Sequence, residues 1–414
     1  MCHLQRKFLV KKGHIKGGYM RRINVVKKFM AVLMMTSLMS TLFTGCSAKK
    51  DEKPVEPDAV VEETQTEADA EIDLIMVGDI LLHTPIEEYS KQADGTYDYS
   101  AIFTNQKEDI SDADLSLVNQ EVIIGGEDLG ISGYPAFNCS YNLANNLEST
   151  GFNVILHATN HALDKGKKGV VNCLNNWKTN HPNMTVLGIN DSKEASDNIY
   201  VYEKDGMKIA ILNYTYGTNG IPLPSDMPYA VNMLEEDKVV ADIAKAKEIS
   251  DFVVVCPHWG TEYLLGTDSM QKKWTKIFLD NGVDLVIGTH PHVIEPIEML
   301  TDETTGHQML VYYSLGNFVN WTSSTGSGIS DRMLGGMAKV KLGRDDNGNV
   351  VIKDYGVKAI VSHVTSKLNG ITVYNLSDYT DELAKENEII KQDSNFSKEY
   401  LVNLANKVWG DSWK

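Results

Sequence analysis

No Asp or Glu occurs before Asp51, although residues 1–45 carry nine Lys or Arg. Cysteine is equally sparse: after Cys46 only Cys139, Cys173 and Cys256 remain, and no Cys-x-x-Cys pair exists. Those absences exclude a zinc-finger-type site and argue against a disulfide framework. Cys256 ends the apolar run 252–256 and reads as a core residue. No self-similarity at a period of about 20–50 residues marks a repeat array. The apolar stretch 29–43 falls short of the roughly 20 residues that a membrane span requires.

What is present at the N-terminus fits export. Met20-Arg21-Arg22 and Lys27-Lys28 supply a basic region, 29–43 an apolar one, and Phe43-Thr44-Gly45-Cys46 a small-residue site before a cysteine. The layout resembles a bacterial lipoprotein signal, in which Cys46 is lipidated and becomes the new N-terminus. Residues 1–19 read as an over-extended start and 20–45 as the signal. Residues 46–71 read as a disordered tether, with nine acids against one Lys between Asp51 and Glu71. The expected location is the extracytoplasmic face of a bacterial membrane. Without the nine N-terminal cations the formal charge of −17 becomes −26. Such a field repels nucleic acid and anionic lipid, so attachment to the membrane falls to the lipid anchor.

Folded sequence starts at Ile72. Runs at 72–77, 115–118, 154–156, 185–187, 209–214, 252–256, 285–287 and 309–314 read as strands. Helical patterns lie between them at 142–151, 166–176, 235–249 and 270–279. This alternation predicts an α/β fold with a mixed or parallel sheet over 72–320. Residues 321–375 read as a β-hairpin extension, turning at 345–349, and 376–414 as a polar helical appendage.

The strand ends carry the chemistry. Six stop on acids, amides or imidazoles: Gly78-Asp79; Asn119-Gln120-Glu121; Asn160-His161 with Asp164; His258-Trp259-Gly260-Thr261-Glu262; Gly288-Thr289-His290-Pro291-His292; and Ser314-Leu315-Gly316-Asn317. Any one is ordinary turn chemistry. Six in one chain point to a shared polar or metal site at the carboxyl edge of the sheet. In an extended segment His290 and His292 would point the same way.

Taken in this order, the motifs resemble the CapA-type capsule-synthesis (poly-gamma-glutamate synthesis) family, over roughly residues 72–320. The resemblance implies a fold similar to calcineurin-like metallophosphoesterases, a β-sandwich flanked by helices. It also implies an extracytoplasmic role in making or exporting an anionic capsule polymer, with membrane synthesis or export subunits as partners. Two departures, Gln120 within Asn119-Gln120-Glu121 and Thr159 before Asn160-His161, leave the candidate ligands in place. The Asp-x-His opening usual in metallophosphoesterases is missing: Ile75 follows Asp73 by two, and His83 lies four past Asp79.

Residue by residue, Asp79, Glu121, Asn160, His258, His290 and His292 are candidate metal ligands. His161 is the candidate proton donor to a leaving group. Asp164, Glu262 and Asn317 would orient or wall the site. Asn160 could instead cap a helix starting at His161, and His258 could stack on Trp259. His157, on a buried strand, reads as a core histidine. His83, His181, His307 and His363 stand apart from these motifs and receive no role. Mixed nitrogen and oxygen donors suit Mn, Fe or Zn better than Mg or Ca.

Three functions stay open on this evidence: a capsule-polymer protein with a metal-dependent hydrolytic site, a free-standing metal-dependent phosphoesterase, and a non-catalytic polymer-binding protein of the same fold.

Overall fold

The computed structural model describes residues 70–321, 324–365 and 370–413. The expected signal, Cys46 and nearly all of the acidic tether lie outside the described residues. Among those residues no helix is long and apolar enough to cross a membrane.

The strands, in chain order, are β1 (Glu71–Leu81), β2 (Leu115–Asn119), β3 (Val154–Leu156), β4 (Thr185–Leu187), β5 (Tyr200–Lys204), β6 (Met207–Thr215) and β7 (Phe252–His258). They continue with β8 (Leu285–Ile287), β9 (Ile297–Thr301), β10 (Gln308–Tyr312), β11 (Asn317–Asn320), β12 (Leu334–Arg344), β13 (Val350–Val364) and β14 (Ile371–Asn375). They form two sheets, as the helix-flanked β-sandwich implied by the resemblance requires, where strand–helix alternation alone gives one. The first runs β14-β13-β12-β1-β2-β3-β4, with β11 also on β1; the second runs β5-β6-β7-β8-β10-β9. The break falls where β5 and β6 make an antiparallel hairpin through Asp205-Gly206, both with positive φ. A tight hairpin cannot make the crossover that a further parallel strand would need.

Period-two alternation explains how the sheets pack. Ile209, Ile211, Val254, Cys256, Leu285, Ile287, Leu310 and Tyr312 share one apolar core with Leu74, Met76 and Leu117 of the first sheet. The alternate residues Ala210, Leu212, Val253, Val255, Val286 and Val311 pack instead with Val239, Ile243, Trp274 and Phe278 of two covering helices. Those helices are Glu236–Ile249 and Ser269–Asp280. The second starts on a reciprocal cap: Asp268 Oδ1 accepts from Gln271 N at 2.8 Å, and Gln271 Oε1 accepts from Asp268 N at 2.9 Å. The result is a helix-flanked two-sheet α/β architecture.

The 321–375 hairpin forms but is not an extension. Its first strand, β12, pairs antiparallel with β1 along Glu71–Val77 and so sits inside the first sheet. Past Val77, β11 takes over, with Asp79 opposite Asn317. The C-terminal helix Lys398–Trp409 is likewise not polar all round. It buries Leu401, Leu404, Ala405 and Trp409, and the Trp409 indole donates to Glu295 O at 3.0 Å.

Two glycines let the strand ends approach one another. A Cβ at Gly78 would lie 1.9 Å from Gly316 O, and one at Gly288 2.1 Å from Tyr313 O and 2.3 Å from Trp259 Nε1. Gly288→Ala is therefore expected to lower stability by about 1–3 kcal/mol, the usual cost of overpacking. Denaturant unfolding of the variant beside wild type measures this, and an unchanged midpoint would contradict the packing.

Glu87 provides a separate test of the core. Burial pushes its carboxyl up to about 8, against a hydrogen bond from the Tyr99 hydroxyl at 2.6 Å. The folded value stands above the unfolded one, so this contribution is complete below pH about 4.5 and is lost as pH rises through about 8. Glu87→Gln stays neutral throughout. Its Tm should gain on wild type from pH 5 to pH 8, by roughly 5 °C at the upper end; a constant difference would refute the burial argument.

Candidate metal centre

The carboxyl ends of β1, β2, β3, β7 and β8 meet between the sheets. Asp79, Glu121, Asn160, His258, His290 and His292 are all buried there. Asn119 Nδ2 donates to Asp79 Oδ1 at 2.8 Å, and His290 N donates to Asp79 Oδ2 at 3.2 Å. His292 Nδ1 also lies 3.2 Å from Asp79 Oδ2. Around Glu121 Oε1 stand His292 Nε2 at 3.6 Å, His258 Nε2 at 3.7 Å and His161 Nε2 at 4.0 Å. His258 is held by Thr289 Oγ1, 3.1 Å from Nδ1, and Asn160 Oδ1, 2.9 Å from Nε2.

These distances decide the chemistry. Both Glu121 oxygens are buried and have no hydrogen-bond partner, and the same holds for His290 Nδ1. Separations of 3.6–4.0 Å are too long for hydrogen bonds but suit donors sharing a cation bound at about 2.0–2.2 Å. Three sets have mutually close donor atoms: Glu121, His258 and His290; Asp79, Glu121 and His292; and Glu262, His290 and His292. The residues therefore fit a divalent metal site. Glu262 is exposed, so its carboxylate meets the histidines from the solvent side.

Electrostatics agree with that donor set. Burial, then repulsion from His292 and His161, holds His290 well below the usual imidazole value; His258 is lowered by burial and by His290, His292 and His161. Both are thus neutral and ligand-competent. Burial raises the Glu121 carboxyl, opposed by His292 and reinforced by Asp79. For His292 burial acts downward, but Glu121 and Asp79 outweigh it and bring the ring up to about 9. Glu121 and His292 each favour the other's charged form across 3.6 Å, and a cation bound there would displace the imidazole proton.

His290 and His292 do converge, with ring centroids 5.8 Å apart, but not through an extended segment. β8 stops at Ile287, and the two histidines have φ of +102° and +58°. Such values are rare outside glycine and mark a strained loop at the site. Asn317 stabilises it, donating from Nδ2 to His292 O at 2.9 Å with Oδ1 3.1 Å from His292 Nδ1. The alternative roles fall away. No helix starts at His161, so Asn160 is not a cap, and Trp259 donates to Tyr313 O and stacks on that ring. His157 lies in the core against Trp177 and Cys173.

His161 lies at the edge of the centre with Nδ1 2.7 Å from Asp164 Oδ2. The same carboxylate oxygen accepts from Phe137 N at 2.7 Å. Sequence reasoning missed several neighbours. His83 and Phe137 have ring centroids 5.1 Å apart, and Phe137 in turn meets His161 at 4.7 Å. Burial, with His292, His161 and Arg332 nearby, lowers His83 to about 4, so it belongs to this site although it appears alone in sequence. Tyr216 lies 4.6 Å from the His290 ring, and Asn219 Oδ1 accepts from Asn160 Nδ2 at 3.2 Å. Both follow β6, the one long parallel strand whose end the polar-terminus reading passed over.

A two-sheet α/β protein with a buried histidine–carboxylate centre at its strand ends is the class defined by this geometry. The chain belongs to the bacterial capsule synthesis protein family PGA_cap, whose family model matches residues 73–322. It is 31% identical over 188 residues to the PGA biosynthesis protein CapA of Bacillus subtilis (strain 168), covering 44% of this chain and 47% of that protein. It is 29% identical over 191 residues to the capsule biosynthesis protein CapA of Bacillus anthracis, covering 44% of each. The matches thus span about half the length of these relatives. Similar solved structures include a putative 5'-nucleotidase from Staphylococcus aureus, at 16% identity and TM-score 0.43, covering 70% of this chain and 54% of that one. The NAD nucleotidase of Haemophilus influenzae follows at 13% identity and TM-score 0.41, covering 83% and 64%.

The His161–Asp164 contact has its own readout. A slowly exchanging imidazole N–H resonance from His161 is expected by NMR and should vanish in Asp164→Ala, with about 1–3 kcal/mol lost as Phe137 N is orphaned. A resonance that persists in the variant would show that Asp164 does not hold the ring.

Proposed function

We propose that this chain acts outside the cytoplasm, anchored through Cys46, in synthesis or export of an anionic capsule polymer, and that its buried centre is a metal-dependent hydrolytic site. Family membership supports the first part. The second rests on one observation: the Glu121 carboxylate is fully buried, makes no hydrogen bond, and has three imidazole nitrogens within 4.0 Å. An unpaired buried carboxylate is costly unless a cation neutralises it.

Asp79, Glu121, Asn160, His258, His290 and His292 would hold one or two divalent ions, with Mn, Fe or Zn favoured by the mixed donors. Such an ion supplies Lewis acidity toward an ester oxygen. The chain's own part is positional. Asp164 fixes the His161 ring with Nδ1 engaged, which leaves Nε2 facing the centre to give a proton to a departing oxygen. Phe137 and His83 wall that side, and Tyr216 covers His290. The burial of the ligands limits water at the reacting group.

Elemental analysis of the purified full-length chain after exposure to Mn, Fe or Zn should find bound metal. His258→Ala and His290→Ala should each lose at least about tenfold in metal affinity and in hydrolysis of bis(4-nitrophenyl) phosphate. A wild-type protein that takes up no metal, and is unaffected by either substitution, would overturn the reading.

A further inference from the structure

Beyond Arg22 the chain contains two arginines, Arg332 and Arg344. Arg344 is engaged with backbone at the β12–β13 turn and the β5–β6 turn, donating to Gly348 O at 2.8 Å and Gly206 O at 2.9 Å. Arg332 has no comparable engagement. Its guanidinium carbon lies 3.5 Å from the centre of the Tyr263 ring, and its Nε is buried without a hydrogen-bond partner. Among the described residues its side chain makes no ion pair. It stands at the rim of the metal centre: the Tyr263 and His292 rings are 6.0 Å apart, and its charge is felt at His83.

The backbone beneath this arginine is fixed from three directions. Asn317 Nδ2 donates both to Arg332 O, at 3.0 Å, and to His292 O, at 2.9 Å, which ties the arginine to a candidate ligand. Asp393 Oδ2 accepts from Ser330 N at 3.1 Å, and the Tyr400 hydroxyl donates to Asp331. A solvated surface arginine needs none of this support. A guanidinium carried over an aromatic face can present its terminal N–H groups to an oxyanion in a two-point contact.

We propose that Arg332, carried on the Tyr263 ring, seats a second anionic group of the substrate, a carboxylate or a phosphate, next to the group presented to the metal centre. The site then selects substrates with at least two neighbouring anionic groups, as in a polyanionic chain. This rests on the reading of the centre as a cation-dependent site for an anionic polymer, and it is tested by binding, separately from hydrolysis.

Calorimetric titration of the full-length chain, manganese-loaded and metal-free, with inorganic phosphate and separately with glutarate distinguishes the two anion chemistries. Arg332→Gln should weaken binding of the preferred anion at least about tenfold, the size expected for a charge-assisted contact, and Arg332→Lys should recover part of it. Manganese content and Tm of these variants should match wild type. Should Arg332→Gln not fold, Tyr263→Leu, which removes the platform and keeps the charge, is expected to weaken anion binding severalfold. Wild-type protein that binds neither anion, or folded variants that bind as tightly as wild type, would overturn the proposal. Arg332-dependent binding in a chain that takes up none of Mn, Fe or Zn would uphold the anion seat while refuting the metal centre.

Discussion

Everything around the centre is arranged to keep one carboxylate buried and uncompensated by hydrogen bonds. Glu121 lies two residues past the end of β2, has no solvent exposure, and has neither oxygen bonded. Burial holds His258 and His290 neutral, and His292, brought up to about 9, faces both Glu121 and Asp79, so a single imidazolium is left to balance two buried carboxylates. Taking the carboxylate as one member of a cation's donor set accounts for its own isolation, for the unpartnered His290 Nδ1, and for the long spacing of the nearby nitrogens. It also gives a reason for the two-sheet arrangement. Asp79, Glu121 and Asn160 come from the first sheet's edge, and His258, His290 and His292 from the second's. Both donor sets that include Glu121 draw on the two sheets, so a centre built on that carboxylate exists only where the sheets pack.

That packing constrains the loop after β8. Thr289 must bring its hydroxyl to His258, His290 N must reach Asp79, and His292 must face both Asp79 and Glu121. A regular strand cannot satisfy all three, and positive φ at both histidines is the backbone's solution. The strain is offset by neighbours. Tyr263 N donates to Pro291 O at 2.8 Å, Asn317 brackets His292, and Trp409 of the final helix holds Glu295 O. The C-terminal segment that reads as an appendage in sequence is therefore part of the scaffold around the site.

The extent to which the chain could be read in advance follows from the same physics. Runs of apolar, β-branched residues announce strands, and all eight expected runs overlap one, the last reaching two residues past β10. β9, mostly exposed, and β5, only partly buried, lack that signature, and β11 is four residues long. The six polar strand ends were legible because a carboxylate, amide or imidazole closing an apolar run is locally conspicuous. His83, Tyr216, Asn219, Tyr263 and Arg332 sit in loops or short turns, where neither period nor composition indicates direction. Only tertiary contacts bring them in. The missing Asp-x-His illustrates the difference: the motif is absent from the sequence, yet His83 packs edge-on to Phe137, which in turn meets His161. The scarcity of arginine was the available clue to Arg332.

The acidity of the chain bears on how such a site could meet an anionic polymer. A formal charge of −17, or −26 without residues 1–45, repels a polyanion at long range. Productive contact then needs positive charge at short range, where it is less screened by solvent and salt. A divalent cation in the histidine–carboxylate centre would provide it at the reacting group, and Arg332 on Tyr263 provides it one ring away. The two differ in kind. A bound cation would be exchangeable, whereas the arginine's charge is covalently fixed and carried on the Tyr263 ring. On the proposed reading, an acidic surface with two adjacent positive points would discriminate by position: an anionic chain would gain only where consecutive charges fall on both, and elsewhere the surface would turn it away.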